Sequence, residues 1–363
     1  MKIKTQKDSL LNSIQKVQNV ITSKAALPIL SNILIETQHE SIKLTATDLD
    51  IGITCVIPVD VQEPGAITIP AKRLADIIKE LPQEEVTIST KKNNLVTIEA
   101  GVCEFKIMGL AKEEFPKLPT FQDQEAIKLE QALLKEMLSL THFSVSFDET
   151  RYILNGMLFK IIKDTLRLVA TDGKRLAIIE KKLGVATDKE VSIIIPIKTI
   201  HELMRNLEEG KEVSLILGNN QALFDLGGVV VISRLIEGEF PDYQQVIPPA
   251  SENKIGVDRE AFLLAVKRAA LLSTPDYQAV KLEVFKNKLV VSKSTPDVGE
   301  SREELDISYH GKELAIGFNP NYLIDALKNL SVPTIELEVT DSEKPGVIRL
   351  NGYVYIVLPM RLS

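Results

Sequence analysis

Apolar residues recur along this chain at spacings of three and four, the pattern of an amphipathic helix with one buried stripe. The pattern fills residues 8–21, 131–144 and 260–273. The apolar positions that align among these copies are Leu11, Leu134 and Leu263, then Ile14, Met137 and Val266, then Val17, Leu140 and Ala269. We therefore predict the same helix three times.

A second helix is predicted in each third of the chain. Its copies are residues 69–81 (IPAKRLADIIKEL), 195–207 (IPIKTIHELMRNL) and 318–330 (FNPNYLIDALKNL), and they begin 126 and 123 residues apart. A fixed period of this kind indicates one structural unit made three times.

Between the helices, apolar and polar residues alternate with a period of two, which predicts half-buried antiparallel strands. Strand-rich segments are expected at residues 27–36, 151–161 and 277–287, each followed by an alternating strand at 41–51, 165–178 and 288–299. Turn sequences at residues 92–94, 218–220 and 227–228 separate further strands.

The repeat sets the domain organisation. Proline-bearing segments at residues 113–119 and 238–249 suit an exit strand and a linker at the end of the first two units. We predict an α+β protein of three tandem domains, each with two helices packed on antiparallel sheet, at residues 1–123, 124–250 and 251–363.

Composition is ordinary for a globular protein, with 44% hydrophobic and 26% charged residues in 363. Cys55 and Cys103 lie in apolar stretches and are expected to be small buried residues. Neither a signal peptide nor a membrane span is indicated, so we expect a cytoplasmic protein that does not bind membranes.

Net charge is −7, which taken alone argues against a nucleic-acid partner. The predicted helices differ from the rest, however. Counted with their flanking residues, over 7–21, 69–82, 130–143, 195–209, 258–274 and 319–331, they carry 12 basic and 11 acidic residues, which leaves 31 of the 43 basic and 39 of the 50 acidic residues elsewhere. A helix-lined surface could therefore be much less acidic than the remainder of the molecule.

Candidate catalytic groups are few. Asp48 and Asp172 occupy equivalent positions in the repeated sequence A-T-D, which admits an acid/base pair, but a turn-stabilising role is the better interpretation because the third copy lacks the aspartate. The four histidines lack the spacing of a metal site, and no phosphate-binding loop or nucleophile elbow occurs. We expect no metal, no cofactor and no enzymatic activity. An enzyme that uses the two aspartates remains the alternative.

Several longer motifs carry a resemblance. They are YVYIVLPMRL at residues 353–362, ATDGKRLAI at 170–178, RYILNGMLF at 151–159, GEFPDYQQVIP at 238–248 and LPILSN at 27–32. Together they resemble the bacterial DNA polymerase III beta subunit family, the replicative sliding clamps, and the resemblance covers the whole chain.

The resemblance implies a head-to-tail dimeric ring of six domains, with helices lining the hole and duplex DNA passing through it. A ring is retained by topology, so its lining needs only weak contacts with DNA, independent of sequence. This answers the objection from net charge. The lining residues that the resemblance implies are Lys24, Lys72, Arg73, Lys198, Arg205, Lys267 and Arg268.

The resemblance also implies a cleft between the second and third domains, where the replicative polymerase, clamp loader and repair proteins dock short peptides with apolar anchors. The matching residues here are Arg151, Tyr152, Leu154, Thr171, Gly173, Lys174, Arg175, Leu176, Pro241, Val246, Asn319, Tyr322, Leu358, Pro359, Met360 and Arg361. For ring closure we expect an interface formed by Phe105, Ile107, Leu271, Leu272, Glu300, Glu303 and Glu304.

We therefore expect a processivity factor, a homodimer that holds the replicative polymerase on DNA. The alternative of another class is a repeat scaffold that binds proteins but no DNA.

Overall fold

The described residues of the computed structural model form six α-helices, two from each third of the chain, as the sequence predicts. The structure describes residues 1–21, 27–82, 84–121, 125–184 and 190–362. The helices are α1 (Lys7–Gln18), α2 (Ala71–Glu80), α3 (Gln131–Ser139), α4 (Ile197–Asn206), α5 (Arg259–Ala270) and α6 (Pro320–Asn329). The predicted boundary at residues 123–124 lies outside the described residues.

Antiparallel strands make up most of the remainder. The first third contributes β1 (Lys2–Gln6), β2 (Asn32–Gln38), β3 (Ser41–Thr47), β4 (Ile51–Pro58), β5 (Asp60–Glu63), β6 (Ala66–Pro70), β7 (Glu85–Thr90), β8 (Leu95–Ala100) and β9 (Cys103–Met108). The second contributes β10 (Ile127–Glu130), β11 (Gly156–Ile162), β12 (Thr165–Thr171), β13 (Arg175–Lys182), β14 (Val191–Pro196), β15 (Glu212–Leu217), β16 (Gln221–Asp225) and β17 (Val229–Arg234). The third contributes β18 (Lys254–Asp258), β19 (Val280–Phe285), β20 (Lys288–Thr295), β21 (Gly299–Asp306), β22 (Leu314–Phe318), β23 (Thr334–Glu338), β24 (Gly346–Leu350) and β25 (Tyr353–Val357).

The chain forms two compact units. The first comprises Met1–Lys135 and Lys198–Leu235, and the second comprises Glu136–Ile197 and Ile236–Ser363. The central third of the chain contributes to both.

In the first unit, one eight-stranded sheet has the order β10-β15-β16-β17-β4-β3-β2-β6. It joins four strands of the central third to four of the first third through the antiparallel pair β17–β4. A five-stranded sheet, β5-β1-β7-β8-β9, ends in β9. Ile3, Ile14 and Leu74 are fully buried, because the apolar stripes of α1 and α2 face these sheets.

The second unit follows the same plan. Its eight-stranded sheet has the order β14-β11-β12-β13-β25-β24-β23-β18, and the pair β13–β25 joins strands of the central and last thirds. A four-stranded sheet, β21-β20-β19-β22, ends in β21 on one side and β22 on the other. Val266 of α5 and Leu323 of α6 are fully buried.

Three local predictions were wrong. Residues 27–36 and 151–161 begin as 3-10 helices, Pro28–Ser31 and Glu149–Asn155, before β2 and β11 start. The helix predicted at 131–144 ends at Ser139, because Thr141 is buried and its Oγ1 donates to Met137 O (2.8 Å). Residues 113–119 and 238–249, all described, contain no strand.

Within the described ranges, no helix is both long and apolar enough to cross a membrane.

Candidate functional site

The C-terminal segment of residues 358–362, hereafter the tail, is held at two points of the second unit. Leu358 N donates to Lys174 O (2.9 Å) in the turn that follows β12. Met360 N donates to Gly317 O (2.8 Å) on β22. Two hydrogen bonds therefore bring Leu358, Pro359 and Met360 between a turn of the central repeat and a strand of the last repeat. Leu358 remains about half exposed (45%), and Arg361 is exposed.

The turn between β12 and β13 is fixed by Asp172. Asp172 Oδ1 accepts from Lys174 N (2.8 Å) and Arg175 N (3.0 Å), and Thr171 Oγ1 donates to Arg175 O (2.6 Å). Gly173 has φ +85°, a left-handed conformation that glycine adopts without strain. The prediction that Asp172 stabilises a turn is confirmed.

Arg175 joins this turn to α6. Its Nε donates to Asp172 Oδ2 (3.0 Å), its Nη1 donates to Asp325 Oδ2 (2.7 Å), and its guanidinium lies 4.4 Å from the centroid of the Tyr322 ring. Burial opposes the charge, yet the hydrogen bond to Asp325 and the neighbouring charges outweigh it and raise the pKa of Arg175. Its side chain is only 9% exposed, so Arg175 positions Tyr322 more than it presents charge to solvent.

Asp325 and Tyr355 belong to this arrangement, although the sequence did not single them out. Tyr355 is buried, and its hydroxyl donates to Tyr322 O (2.8 Å), which fixes the first turn of α6. Burial raises the pKa of Tyr355 well above its ordinary value, so it stays a neutral donor. The sequence did hold a signal for Asp325, because Asp76 and Glu202 occupy the same position in the other two copies of the helix.

The apolar wall beside the turn is a buried cluster of Leu158, Val169, Leu176, Ile178, Ile194, Val347 and Ile356. Tyr243 and Ile247 pack against it while being partly exposed themselves. Val246, between these two, is 58% exposed. An exposed apolar side chain next to a packed apolar wall can accept an apolar group from a partner.

The structure places all sixteen residues of the predicted cleft in the second unit. Arg151, Tyr152 and Leu154 lie in the segment Glu149–Asn155, where a kink at Arg151 (φ −113°, ψ 51°) separates two 3-10 turns and Arg151 Nη1 donates to Asp172 O (3.4 Å). Asn319 caps α6 by accepting from Asn321 N (3.0 Å). Described contacts thus connect Arg151, the Asp172 turn, α6 and the tail. Pro241 and Arg361 are exposed to solvent.

The cations predicted to face DNA fall into two groups. Lys198 pairs with Asp48, Arg205 pairs with Glu202, and Arg268 makes a bidentate pair with Glu303 (2.8 and 2.5 Å). Lys72, Arg73 and Lys267 are exposed and form no ion pair with any residue that the structure describes. Lys24 lies outside the described residues.

Asp48 has the same turn role as Asp172. Its Oδ1 accepts from Asp50 N (3.0 Å) and Ile51 N (2.8 Å), while its other oxygen takes the Lys198 ammonium. Among the described residues, no group of three His, Cys, Asp or Glu side chains could hold a metal ion.

Two of the three predicted interface segments lie on edge strands. Phe105 (39% exposed) and Ile107 are on β9, the last strand of the five-stranded sheet. Glu300, Glu303 and Glu304 are on β21, the last strand of the four-stranded sheet. Leu271, just after α5, is 81% exposed, and Leu272 is partly exposed. Hydrogen bonds from Arg268 and Arg302 lower the pKa values of Glu303 and Glu304, respectively.

Comparison with known proteins covers the chain from end to end. Family models of the DNA polymerase III beta subunit match its N-terminal domain at residues 1–119, its central domain at 128–242 and its C-terminal domain at 244–361. The beta sliding clamp of Chlamydia muridarum is 32% identical over 363 residues, which are 100% of this chain and 99% of that protein.

Solved structures agree with these matches. The DNA polymerase sliding clamp from Bacillus subtilis is 34% identical and superposes with a TM-score of 0.95, with 100% of both chains covered. The sliding clamp from Bartonella birtlesii bound to griselimycin is 36% identical and superposes with a TM-score of 0.94, again over 100% of both chains. The chain therefore belongs to the DNA polymerase III beta subunit family, the non-catalytic sliding clamps of DNA replication.

Proposed function

We propose that two copies of this chain close head to tail into a ring around duplex DNA and tether DNA-processing proteins through the cleft beside the tail. The proposal of a closed ring is supported by the order of strands in the sheets of the two units. Each eight-stranded sheet joins strands of two successive repeats, through β17–β4 and through β13–β25. The two smaller sheets end in β9 and β21, and each lacks such a partner among the described strands.

An edge strand exposes backbone N–H and C=O groups that favour pairing with another chain. Pairing β9 of one copy with β21 of a second copy would join strands of two domains in one sheet, as the pairs β17–β4 and β13–β25 do within the chain. Phe105 and Ile107 would then contact Leu271 and Leu272 of the other copy. Such a contact joins two different surfaces and is heterologous, and two of them, related by a twofold rotation, would close a ring. We propose domain boundaries near residues 123 and 250 for the six domains of this ring.

Lys72, Arg73 and Lys267, with Lys24, Lys198, Arg205 and Arg268, are the proposed contacts to the phosphate backbone. Such contacts are electrostatic and carry no base readout, so the proposed partner is double-stranded DNA of any sequence. Retention would come from the closed ring. We therefore propose that the protein acts in the cytoplasm, where the bacterial chromosome lies.

The cleft of the second unit is the proposed docking site for peptides of the replicative polymerase, the clamp loader and repair proteins. Val246 and Leu358 offer exposed apolar surface, while the Arg175–Tyr322 stack and backbone hydrogen bonds keep the walls in place. Two or three buried apolar anchors contribute about 1.5–3 kcal/mol each before ordering costs, which corresponds to roughly micromolar binding.

Retention on circular DNA tests the ring. After loading onto a nicked circular plasmid by a bacterial clamp loader, the protein should remain with the DNA through gel filtration, and linearisation should release it. Loss from circular DNA as rapid as from linear DNA would support the alternative of a protein-binding scaffold.

Griselimycin is bound in the solved Bartonella birtlesii clamp, and we propose that it occupies the matching cleft of this chain. We expect it to bind this chain in a calorimetric titration, and removal of residues 360–363 should abolish binding while the mass in solution stays that of the dimer. Unchanged binding by the shortened chain would contradict the proposed site.

A further inference from the structure

Gly317 lies where the tail meets the body of the second unit. It is a buried residue of β22, paired with Lys281 of β19 on one side and bridged to Met360 on the other. The tail therefore continues the four-stranded sheet by one short antiparallel contact, whose hydrogen bond runs from Met360 N to Gly317 O (2.8 Å).

A side chain at Gly317 would collide with the tail. A Cβ built there lies 2.7 Å from Met360 O, 2.8 Å from Leu362 Cδ2 and 3.3 Å from Leu362 Cγ. These three nearest atoms all belong to the tail. The first is a backbone oxygen, which cannot turn aside as a flexible side chain can.

The backbone of Gly317 does not itself need glycine. Its φ is outside the left-handed region, unlike those of Gly173 and Gly299. A strand residue with ordinary φ accepts alanine without strain, and glycine in a strand interior has an entropic cost. The close approach of the tail is therefore the structural reason for a glycine at this position.

We propose that Gly317 is a positioning residue for the peptide cleft. Because it has no side chain, the tail can pack directly on β22 at this residue, and we call this contact the seat. The seat holds Leu358, Pro359 and Met360 beside the apolar wall. This inference rests on the proposed function of the cleft. Leu358 is tied to Lys174 and Met360 to Gly317, so displacement at the second point moves the segment between them.

Gly256 supplies a matched control. It is also a strand glycine, on β18, with an isolated bridge to Ser308. A Cβ there lies 3.4 Å from Ser308 Cβ, an ordinary contact. Gly317→Ala and Gly256→Ala thus make the same chemical change on two strands of the last repeat, one with a clash and one without.

Griselimycin titration of the full-length protein measures the effect on the cleft. We expect Gly317→Ala to bind at least about tenfold more weakly than the parent chain, and Gly256→Ala to bind equally well. Equal binding by all three proteins would overturn the inference and leave the cleft itself intact. Failure of the parent chain to bind would instead count against the proposed cleft.

Limited trypsin digestion tests the seat without any ligand. Arg361 is exposed, and a displaced tail should lose its last two residues faster, as followed by intact mass. We expect faster loss from Gly317→Ala than from the parent chain or from Gly256→Ala. Equal rates would overturn the proposed seat whatever the titration shows.

Thermal unfolding of chains that lack residues 360–363 tests whether the methyl group added at position 317 clashes with any part of the protein other than the tail. Without the tail, Gly317→Ala should leave the midpoint unchanged or raise it, because alanine reduces the entropy of the unfolded chain. In the full-length chain the same change should lower the midpoint. A lower midpoint in both backgrounds would show that the methyl group meets something other than the tail, and would overturn the inference.

Discussion

Acidic residues at one aligned position of the second helix have three different surroundings. Asp76 is exposed, Glu202 is buried beside Arg205, and Asp325 pairs with the buried Arg175. Burial raises the pKa of Glu202, because its carboxylate loses water and only Arg205 and Lys198 offset part of that loss. Only at Asp325 does the acid hold a cation that orders a candidate binding wall.

Asp325→Ala should destabilise the second unit. The change leaves the Arg175 guanidinium buried with one carboxylate instead of two, and loss of a hydrogen bond to a charged group costs about 1.5–3 kcal/mol of unfolding free energy. Urea unfolding measures it. Glu336→Ala is the control, because its pair with Lys254 (2.8 Å) is exposed and screened by solvent, and therefore contributes little. Equal losses in the two variants would contradict the role assigned to Asp325.

His142 should make stability depend on pH. Burial lowers its pKa, outweighing the hydrogen bonds to Leu138 O and Ser139, so the unfolded chain binds a proton more readily than the folded chain. The stabilising contribution is therefore complete above the ordinary histidine pKa of about 6.5 and is lost as pH falls towards the folded value.

His142→Asn keeps a donor for Leu138 O but cannot titrate. Urea unfolding at about pH 8 and about pH 6 should show a larger loss of stability in the parent chain than in this variant. An equal loss in both would show that other groups carry the pH dependence.

For single residues, the sequence predicted hydrogen bonds within a turn but not ion pairs between residues far apart in the chain. The A-T-D sequence predicts a turn, because a short carboxylate can accept from the N–H groups two and three residues ahead, and both Asp48 and Asp172 do so. Lys198 lies 150 residues from Asp48, and Asp325 lies 150 residues from Arg175. No local pattern encodes pairs of that separation.

Among the elements, helix and strand identity followed from periodicity, whereas element ends did not. The 3-10 helices Pro28–Ser31 and Glu149–Asn155 were predicted as strand, because their apolar residues satisfy either geometry over so short a run. The end of α3 was missed because a buried Thr141 bonds back to the helix. Periodicity also cannot tell a paired cation from an unpaired one on the same helix face.

Two triple variants separate these cations. The unpaired set is Lys72→Gln, Arg73→Gln and Lys267→Gln, and the paired set is Lys198→Gln, Arg205→Gln and Arg268→Gln. We expect the unpaired set to weaken DNA binding more, because its charges are not already compensated by carboxylates among the described residues. Loss of three phosphate contacts lowers the salt slope of binding by about 2–3.

Binding to linear duplex over a range of salt concentrations gives this slope. The paired set is the matched control, since it removes the same number of positive charges from helices. A smaller or equal change in the unpaired set would mean that the ion pairs seen in the free chain open on DNA.

For the whole molecule, net charge is a poor guide to function. A chain of charge −7 has no general attraction for DNA, yet three exposed cations on α2 and α5 lack carboxylate partners in the described part of the structure. A closed ring needs few cations that contact DNA, because the ring is retained on DNA by its topology and weak contacts permit sliding. The repeat predicted three domains, the sequence predicted ring closure at residues that lie on β9 and β21, and the sheet order makes both of these edge strands.

Leu271→Asp should convert the proposed dimer into a monomer. Leu271 is 81% exposed in the single chain, and burying a leucine in an interface stabilises it by about 1.5–3 kcal/mol. An aspartate there would have to lose its water against an apolar surface, close to the acidic strand β21. Sedimentation equilibrium should give 40.3 kDa for this variant and twice that mass for the parent chain.

Ile162→Asp is the control, since Ile162 is an exposed residue (41%) at the end of β11, outside the proposed interface, and the substitution should leave the proposed dimer intact. A dimeric Leu271→Asp variant would show that the copies meet through a different surface.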